Sequence, residues 1–148
     1  MSGCFATAGP GGSALASPDG MRSLVCAVVS EHERLRDLLR GLLLLAARAE
    51  EGNAHAWQDL TELDLKRSLE LHAQHERAEA ARVFAPGDRF RRKLDALHEK
   101  QARAAILVRG APDLQNALLH VGEIVTALAE EETELMAAQE RLEPGKTA

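Results

Sequence analysis

The spacing of apolar residues is the feature that most constrains this chain. In four successive segments, leucine, valine and isoleucine recur three or four positions apart, which is the period of one face of an α-helix. The segments cover about residues 21–51, 56–84, 88–109 and 113–142. Neither a strand-like alternation nor an internal repeat stands out in the sequence. The pattern therefore predicts an all-α protein.

Each segment ends where the sequence changes to residues that stop helices. The three breaks are Gly52-Asn53, Ala85-Pro86-Gly87 and Gly110-Ala111-Pro112. Asp88 and Asp113 follow the last two breaks and suit the N-cap positions of the next helices. Because short turns make each helix run antiparallel to the one before it, we expect an up-down-up-down four-helix bundle.

The two ends of the chain differ from the patterned part. Residues 1–20 are rich in glycine, alanine, serine and proline and show no period, which predicts a disordered N-terminal leader. The bundle is expected over residues 21–143, and residues 144–148 are expected to form a short disordered tail. A chain of 148 residues is suited to one such domain.

Composition excludes several classes of partner. With 18 basic and 23 acidic side chains, the chain has no positive field for nucleic acid. Its longest apolar run, Leu42 to Ala47, is far shorter than the roughly 20 residues of a membrane-spanning helix, so we expect no membrane partner. Two cysteines form no disulfide framework and no secretory signal is evident, so a cytoplasmic location is expected.

The second segment places ionisable side chains on its apolar face. With His72 set at zero and about 100° per residue, Glu76 lies near 40°, Glu79 near −20° and His75 near −60°. An inward carboxylate needs a cation, a metal ion or a proton, because burying an unpaired charge costs several kcal/mol. Histidine and glutamate four residues apart on a helix can also reach one ion. Alternatively, the pairs lie at the bundle edge, solvated or paired with arginines.

The other three segments carry comparable residues within their apolar stripes. His32 lies in the first segment, His98 in the third and Glu131 in the fourth. A single inward histidine is usually a hydrogen-bonded core residue. Histidines on three successive helices, joined by a glutamate on the fourth, instead predict a metal site inside the bundle.

Four stretches together resemble the hemerythrin-like, or HHE cation-binding, family of four-helix bundles. They are SEHERLRDLLRGLL (30–43), LHAQHERAEAARVF (71–84), LDALHEKQARAAILV (94–108) and ALAEEETELM (127–136). In that family, histidine and carboxylate side chains hold a non-haem di-iron centre. The resemblance implies a ligand set drawn from His32, His72, Glu76, His75, Glu79, His98 and Glu131.

Two points of this ligand set stay open. Leucines that precede the second-helix motif favour the pair His72/Glu76, whereas the apolar pair that closes it favours His75/Glu79. Ala127 stands where the family has its final histidine, four residues before the glutamate of the fourth helix. One ligand is therefore missing. The sequence leaves open a mononuclear or incomplete site as the alternative to a di-iron centre.

The resemblance implies a metal-binding protein, with iron as the expected ion. Such a protein would bind or sense oxygen, nitric oxide or another oxidant, or handle iron. An enzyme is not expected, because the sequence has no evident nucleophile arrangement and few pocket-building aromatics. The alternative is a metal-free helical bundle that acts as an interaction or regulatory module. Apolar residues Leu42 to Leu45 would suit either the core or a homodimer contact.

Overall fold

The computed structural model describes residues 18–49 and 65–142 of the chain. These ranges contain four helices: α1 (Pro18–Ala49), α2 (Lys66–Ala81), α3 (Arg89–Arg109) and α4 (Leu114–Leu142). No strand occurs within them. The predicted all-α fold is therefore confirmed for this part of the chain.

The helix boundaries differ slightly from the predicted ones. Helix α1 begins at Pro18, so residues 18–20 belong to the helix and not to a leader. Proline has no N–H to lose in a first helical turn, and Asp19 interacts favourably with the positive end of the helix dipole there. Helix α2 ends at Ala81, three residues early. The remaining predicted leader, the first residues of the second segment, and residues 143–148 lie outside the described ranges.

Both predicted N-caps are present. The Asp88 carboxylate accepts a hydrogen bond of 2.8 Å from the backbone N–H of Phe90. The Asp113 carboxylate accepts one of 2.8 Å from the backbone N–H of Asn116. These bonds satisfy N–H groups that have no partner inside their own helices, and so fix where α3 and α4 begin.

The four helices form a ring in which α1 packs on α2 and α4, and α3 packs on the same two helices. Two apolar layers fill the ring. The upper apolar layer consists of Leu35, Leu39, Leu65, Leu69, Ala104, Ala105, Val108, Ala111, Ala117, Val121, Ile124 and Leu128. The lower apolar layer consists of Met21, Leu24, Val28, Ala80, Val83, Phe84, Phe90, Leu94, Leu135 and Ala138.

Successive helices pass through these layers in opposite directions. Helices α1 and α3 run from the lower apolar layer to the upper one, and α2 and α4 run from the upper to the lower. The described helices therefore alternate up and down, as predicted. A polar layer separates the two apolar ones and consists of His32, His72, Glu76, His98, Gln101 and Glu131.

Three further expectations concern a homodimer contact, a membrane partner and the location of the protein. Leu42 and Leu43 pack against the upper apolar layer, whereas Leu44 is exposed, so the predicted homodimer contact stays a prediction. None of the described helices is long and apolar enough to cross a membrane. Cys26 is disulfide-bonded. The cysteines therefore give no support to the expected cytoplasmic location.

Replacing the cap of α3 should weaken the bundle measurably. In an Asp88→Ala variant, the free energy of unfolding should fall by about 1 kcal/mol, the usual value of a lost N-cap. Urea denaturation followed by circular dichroism measures this change. Asp95→Ala is the control, because Asp95 forms an exposed ion pair with Arg77 and does not cap a helix in the described part of the chain. That variant should lose less than about 0.5 kcal/mol, and equal losses in both variants would contradict the capping role.

Candidate metal centre

The polar layer receives at least one side chain from every described helix. Helix α1 supplies His32, and α4 supplies Glu131. Helix α2 supplies His72 and Glu76, four residues apart, and α3 supplies His98 and Gln101, three residues apart. Both spacings place two side chains on one helix face. All six residues are at most 4% exposed, so the layer lies in the interior of the bundle.

Glu131 lies at the middle of this layer. Its Oε2 atom contacts Nε2 of His32 and lies 3.0 Å from Nε2 of His72. Its Oε1 atom lies 3.0 Å from Nε2 of His98 and accepts a 2.8 Å hydrogen bond from the side-chain amide of Gln101. One carboxylate from α4 therefore touches side chains from α1, α2 and α3.

Glu76 brings a second carboxylate into the same space. Its Oε1 atom lies 2.5 Å from Nε2 of His98 and 3.5 Å from Nε2 of His72. One ligand atom from each of His32, His72, Glu76 and Glu131 lies within 4.8 Å of the others. Opposite ligands of one ion lie roughly 4.0–4.4 Å apart when bond lengths are about 2.0–2.2 Å. The group is compact enough to hold a metal ion after small side-chain adjustments.

Carboxylates outside the polar layer contact the other ring nitrogens of two histidines. Nδ1 of His32 lies 2.6 Å from Oε2 of Glu132, which also accepts a 2.6 Å hydrogen bond from Arg36. Nδ1 of His72 lies 2.7 Å from Oε1 of Glu31. These contacts orient both rings so that Nε2 faces the centre. Carboxylates commonly orient metal-binding histidines in this way.

The charges of the polar layer control its protonation. Burial alone lowers the pKa of His72, but hydrogen bonds to Glu131 and Glu31 and nearby carboxylate charges raise it to about 10. Burial tends to raise the pKa of Glu131, yet hydrogen bonds from three histidines hold it well below its usual range. Burial raises the pKa of Glu76, and the Glu131 charge raises it further against the hydrogen bond from His98. The histidines therefore stabilise the charge of Glu131, while Glu76 takes up a proton more readily than an ordinary glutamate.

The structure brings five of the seven predicted site residues together and leaves two outside. His75 is half exposed, and Glu79 lies beside it at the α1–α2 surface, so neither belongs to the polar layer. The inward direction of α2 is set by Leu65, Leu69, Ala80 and Val83. His72 and Glu76 are in phase with these residues, whereas His75 is rotated by about 60° from His72 towards α1.

Sequence reasoning missed three residues around the centre. Gln101 is fully buried and donates to Glu131, and its spacing of three residues after His98 was the available signal. Glu31 and Glu132 each stand next to a residue of the polar layer in the sequence. Adjacent residues on a helix point about 100° apart, so their contacts with histidines on other helices could not be read from spacing.

Comparison of the chain with protein-family models, curated proteins and solved structures gave no match. The resemblance to the hemerythrin-like family therefore rests on the four sequence stretches. The polar layer brings together ligand atoms that could hold a metal ion, independently of that resemblance.

Metal binding to this layer should release protons. With its pKa near 10, His72 is protonated at pH 7.5 and must lose a proton before Nε2 can bind an ion. We expect at least about one proton released per ion at pH 7.5, and an affinity for Zn²⁺ that rises about tenfold per pH unit for each proton displaced. Isothermal titration calorimetry in buffers of different ionisation enthalpy measures this release, and binding heats that do not depend on the buffer would contradict it.

Proposed function

We propose that this protein is a hemerythrin-like metal-binding protein that holds one non-haem ion in its polar layer. The ligands in this proposal are His32, His72, Glu76 and Glu131. The observation that carries it is the convergence of four buried ligand atoms, from three helices, within 4.8 Å of one another. Two imidazoles and two carboxylates suit iron, zinc and manganese.

The surroundings of His98 support one ion rather than two. Nε2 of His98 contacts carboxylate oxygens of both Glu76 and Glu131, where it can donate a hydrogen bond and orient them. Its Nδ1 has no partner within the described part of the chain, unlike Nδ1 of His32 and His72. A second ion would need terminal ligands of its own, and Ala127 offers none.

Iron is the ion we propose, on the strength of the resemblance. Iron in proteins accepts more ligands than the four that the polar layer supplies, so positions are left for a small molecule. A groove between α2 and α3, with a volume of about 780 Å³, reaches His98 and supports access from the surface. Binding or sensing of oxygen, nitric oxide or another oxidant follows from this arrangement, with iron handling as the related role. This is a binding function and not catalysis on an organic substrate.

The test is elemental analysis of protein purified without an affinity tag, before and after anaerobic loading with Fe²⁺. We expect one tightly bound ion per chain in the parent protein and almost none in a His72→Ala variant. His120→Ala is the matched control, because His120 pairs with Glu123 on α4 away from the polar layer. A parent protein that retains no metal after loading would overturn the proposal.

The second candidate is the metal-free interaction module, and one observation favours it. Both ring nitrogens of His32 and of His72 already contact carboxylates, so the layer balances its own charges without an ion. A metal ion that binds only the native state raises the melting temperature. An unchanged melting temperature with Fe²⁺, Zn²⁺ and Mn²⁺ would favour the metal-free module.

Introducing the missing histidine should strengthen the site. Ala127 is fully buried, belongs to neither apolar layer and precedes Glu131 by one helical turn. An Ala127→His variant should bind more metal than the parent, or bind it more tightly, because its imidazole would lie on the face that carries Glu131. The larger side chain should cost about 1–3 kcal/mol of stability.

Ala127→Leu is the control for that substitution, because it adds volume without a ligand atom. It should lower the melting temperature without any gain in metal. Metal content and melting temperature are measured on both variants. An Ala127→His protein that folds normally but binds metal no better than the parent would contradict the assigned register of α4.

A further inference from the structure

The groove between α2 and α3 has the size and lining of a small-molecule site. Its volume of about 780 Å³ lies within the usual range of roughly 300–1,000 Å³ for ligand pockets. Small side chains line both walls, with Ala73 on α2 and Ala102 on α3. The buried residues of the lining, here called the groove floor, are Leu69, Ala80, Leu94, His98 and Ala105. The described floor is thus apolar apart from one imidazole.

That imidazole lies between two apolar surfaces. Leu69 belongs to the upper apolar layer and Leu94 to the lower one, whereas His98 belongs to the polar layer between them. A molecule that lies along the groove can therefore cover apolar side chains on both sides of His98. Burial of that surface favours binding of an apolar molecule, and the imidazole offers it one polar contact.

His98 has one ring nitrogen to offer. Its Nε2 faces the buried centre, 2.5 Å from Oε1 of Glu76 and 3.0 Å from Oε1 of Glu131. Its Nδ1 lies on another side of the ring, is buried, and has no hydrogen-bond partner among the described residues. Buried polar atoms in folded proteins nearly always have a partner. Because the ring lines the groove, a molecule bound there can supply the partner of Nδ1.

The chemistry of Nδ1 selects the kind of group that pairs with it. An imidazole nitrogen donates a hydrogen bond when it carries a hydrogen and accepts one when it does not. A hydroxyl group can accept in the first case and donate in the second. A hydroxyl therefore pairs with Nδ1 whichever nitrogen of His98 carries the hydrogen.

The rim of the groove indicates that the bound molecule is uncharged. Its described charged side chains are three basic and three acidic ones: Lys66, Arg77, Arg91, Glu70, Asp95 and Glu99. Arg77 and Asp95 are paired at 3.1 Å, and Arg91 donates a 3.2 Å hydrogen bond to the backbone carbonyl of Phe84. A rim with balanced charges concentrates neither cations nor anions.

We propose that the α2–α3 groove binds a small uncharged molecule with an apolar body and one hydroxyl group, which pairs with Nδ1 of His98. The apolar body lies on the groove floor, and the balanced rim leaves the molecule without an ionic contact. This inference does not rest on the proposed metal site, because His98 is not among its four ligands.

The test is a titration of the isotope-labelled full chain, kept free of metal with a chelator and followed by NMR. The probes are para-cresol, para-xylene, which replaces the hydroxyl with a methyl group, and para-toluate, which replaces it with a carboxylate. Para-cresol should shift the backbone amides that line the groove and the Nδ1 signal of His98. An apolar hollow without a polar contact would prefer para-xylene, the less polar molecule. We expect the opposite order, with para-cresol bound roughly fivefold more tightly, the scale of one hydrogen bond.

An Ala102→Leu variant tests the location of the site. Its larger side chain should narrow the groove and weaken para-cresol binding roughly tenfold or more, the scale of a steric overlap. Ala96→Leu is the matched control, because Ala96 is exposed on the same helix and does not line the groove. The control should bind para-cresol as the parent does.

A His98→Gln variant tests the polar contact. The glutamine amide can still donate to Glu76 and Glu131 as Nε2 does, but it has no counterpart of Nδ1. The variant should bind para-xylene as the parent does and should lose the preference for para-cresol. Melting temperature verifies that each variant folds. If His98→Gln does not fold, the Nδ1 signal of the parent decides the same point.

The outcomes that overturn the proposal differ in what they show. Para-xylene bound as tightly as para-cresol would mean that the groove does not recognise a hydroxyl. Tighter binding of para-toluate would show a site for anions. Unchanged para-cresol binding in Ala102→Leu would place the site elsewhere. A parent protein without saturable para-cresol binding would overturn the groove site and leave the metal-binding function standing, because elemental analysis tests that function separately.

Discussion

The carboxylate of Glu131 is the group on which the rest of the structure depends. It is buried at 1% exposure, and its two oxygens contact three histidines and one glutamine. A charge this deep costs several kcal/mol unless its partners are in place. Since those partners come from α1, α2 and α3, each of these helices must sit at one height relative to α4.

This requirement explains why the core is divided. Apolar side chains alone allow helices to slide by a turn, because one leucine replaces another at little cost. A polar layer between two apolar layers removes that freedom, since a shift would leave buried ionisable groups without partners. The same layer gathers ligand atoms on rigid helices rather than on loops, which is where a metal site needs them. The features that fix the register of the bundle are thus the same features that bring together side chains that could hold a metal ion.

Much of this arrangement could be predicted from the sequence. Helical spacing predicted the described helices and the capping aspartates, and His32, His98 and Glu131 were recognised because each interrupts an apolar stripe. The sequence could not decide between the pairs His72/Glu76 and His75/Glu79, since the directions of the two pairs around the helix differ by less than the width of its buried face. The packing of Leu65, Leu69, Ala80 and Val83 against the other helices decides it. The sequence also could not predict which residues contact each histidine from a neighbouring helix. Such contacts depend on the relative positions of the helices along the bundle axis as well as on spacing within one helix.

The central claim is that one ion binds inside the polar layer. The most direct measurement is a crystal structure of protein loaded with one equivalent of Co²⁺, with anomalous diffraction data that locate the metal. We expect one strong anomalous peak per chain, about 2.1 Å from Nε2 of His32 and of His72 and close to Glu76 and Glu131. No peak in the polar layer would contradict the account. So would two peaks there separated by roughly 3.5–4 Å, the spacing of a two-metal centre.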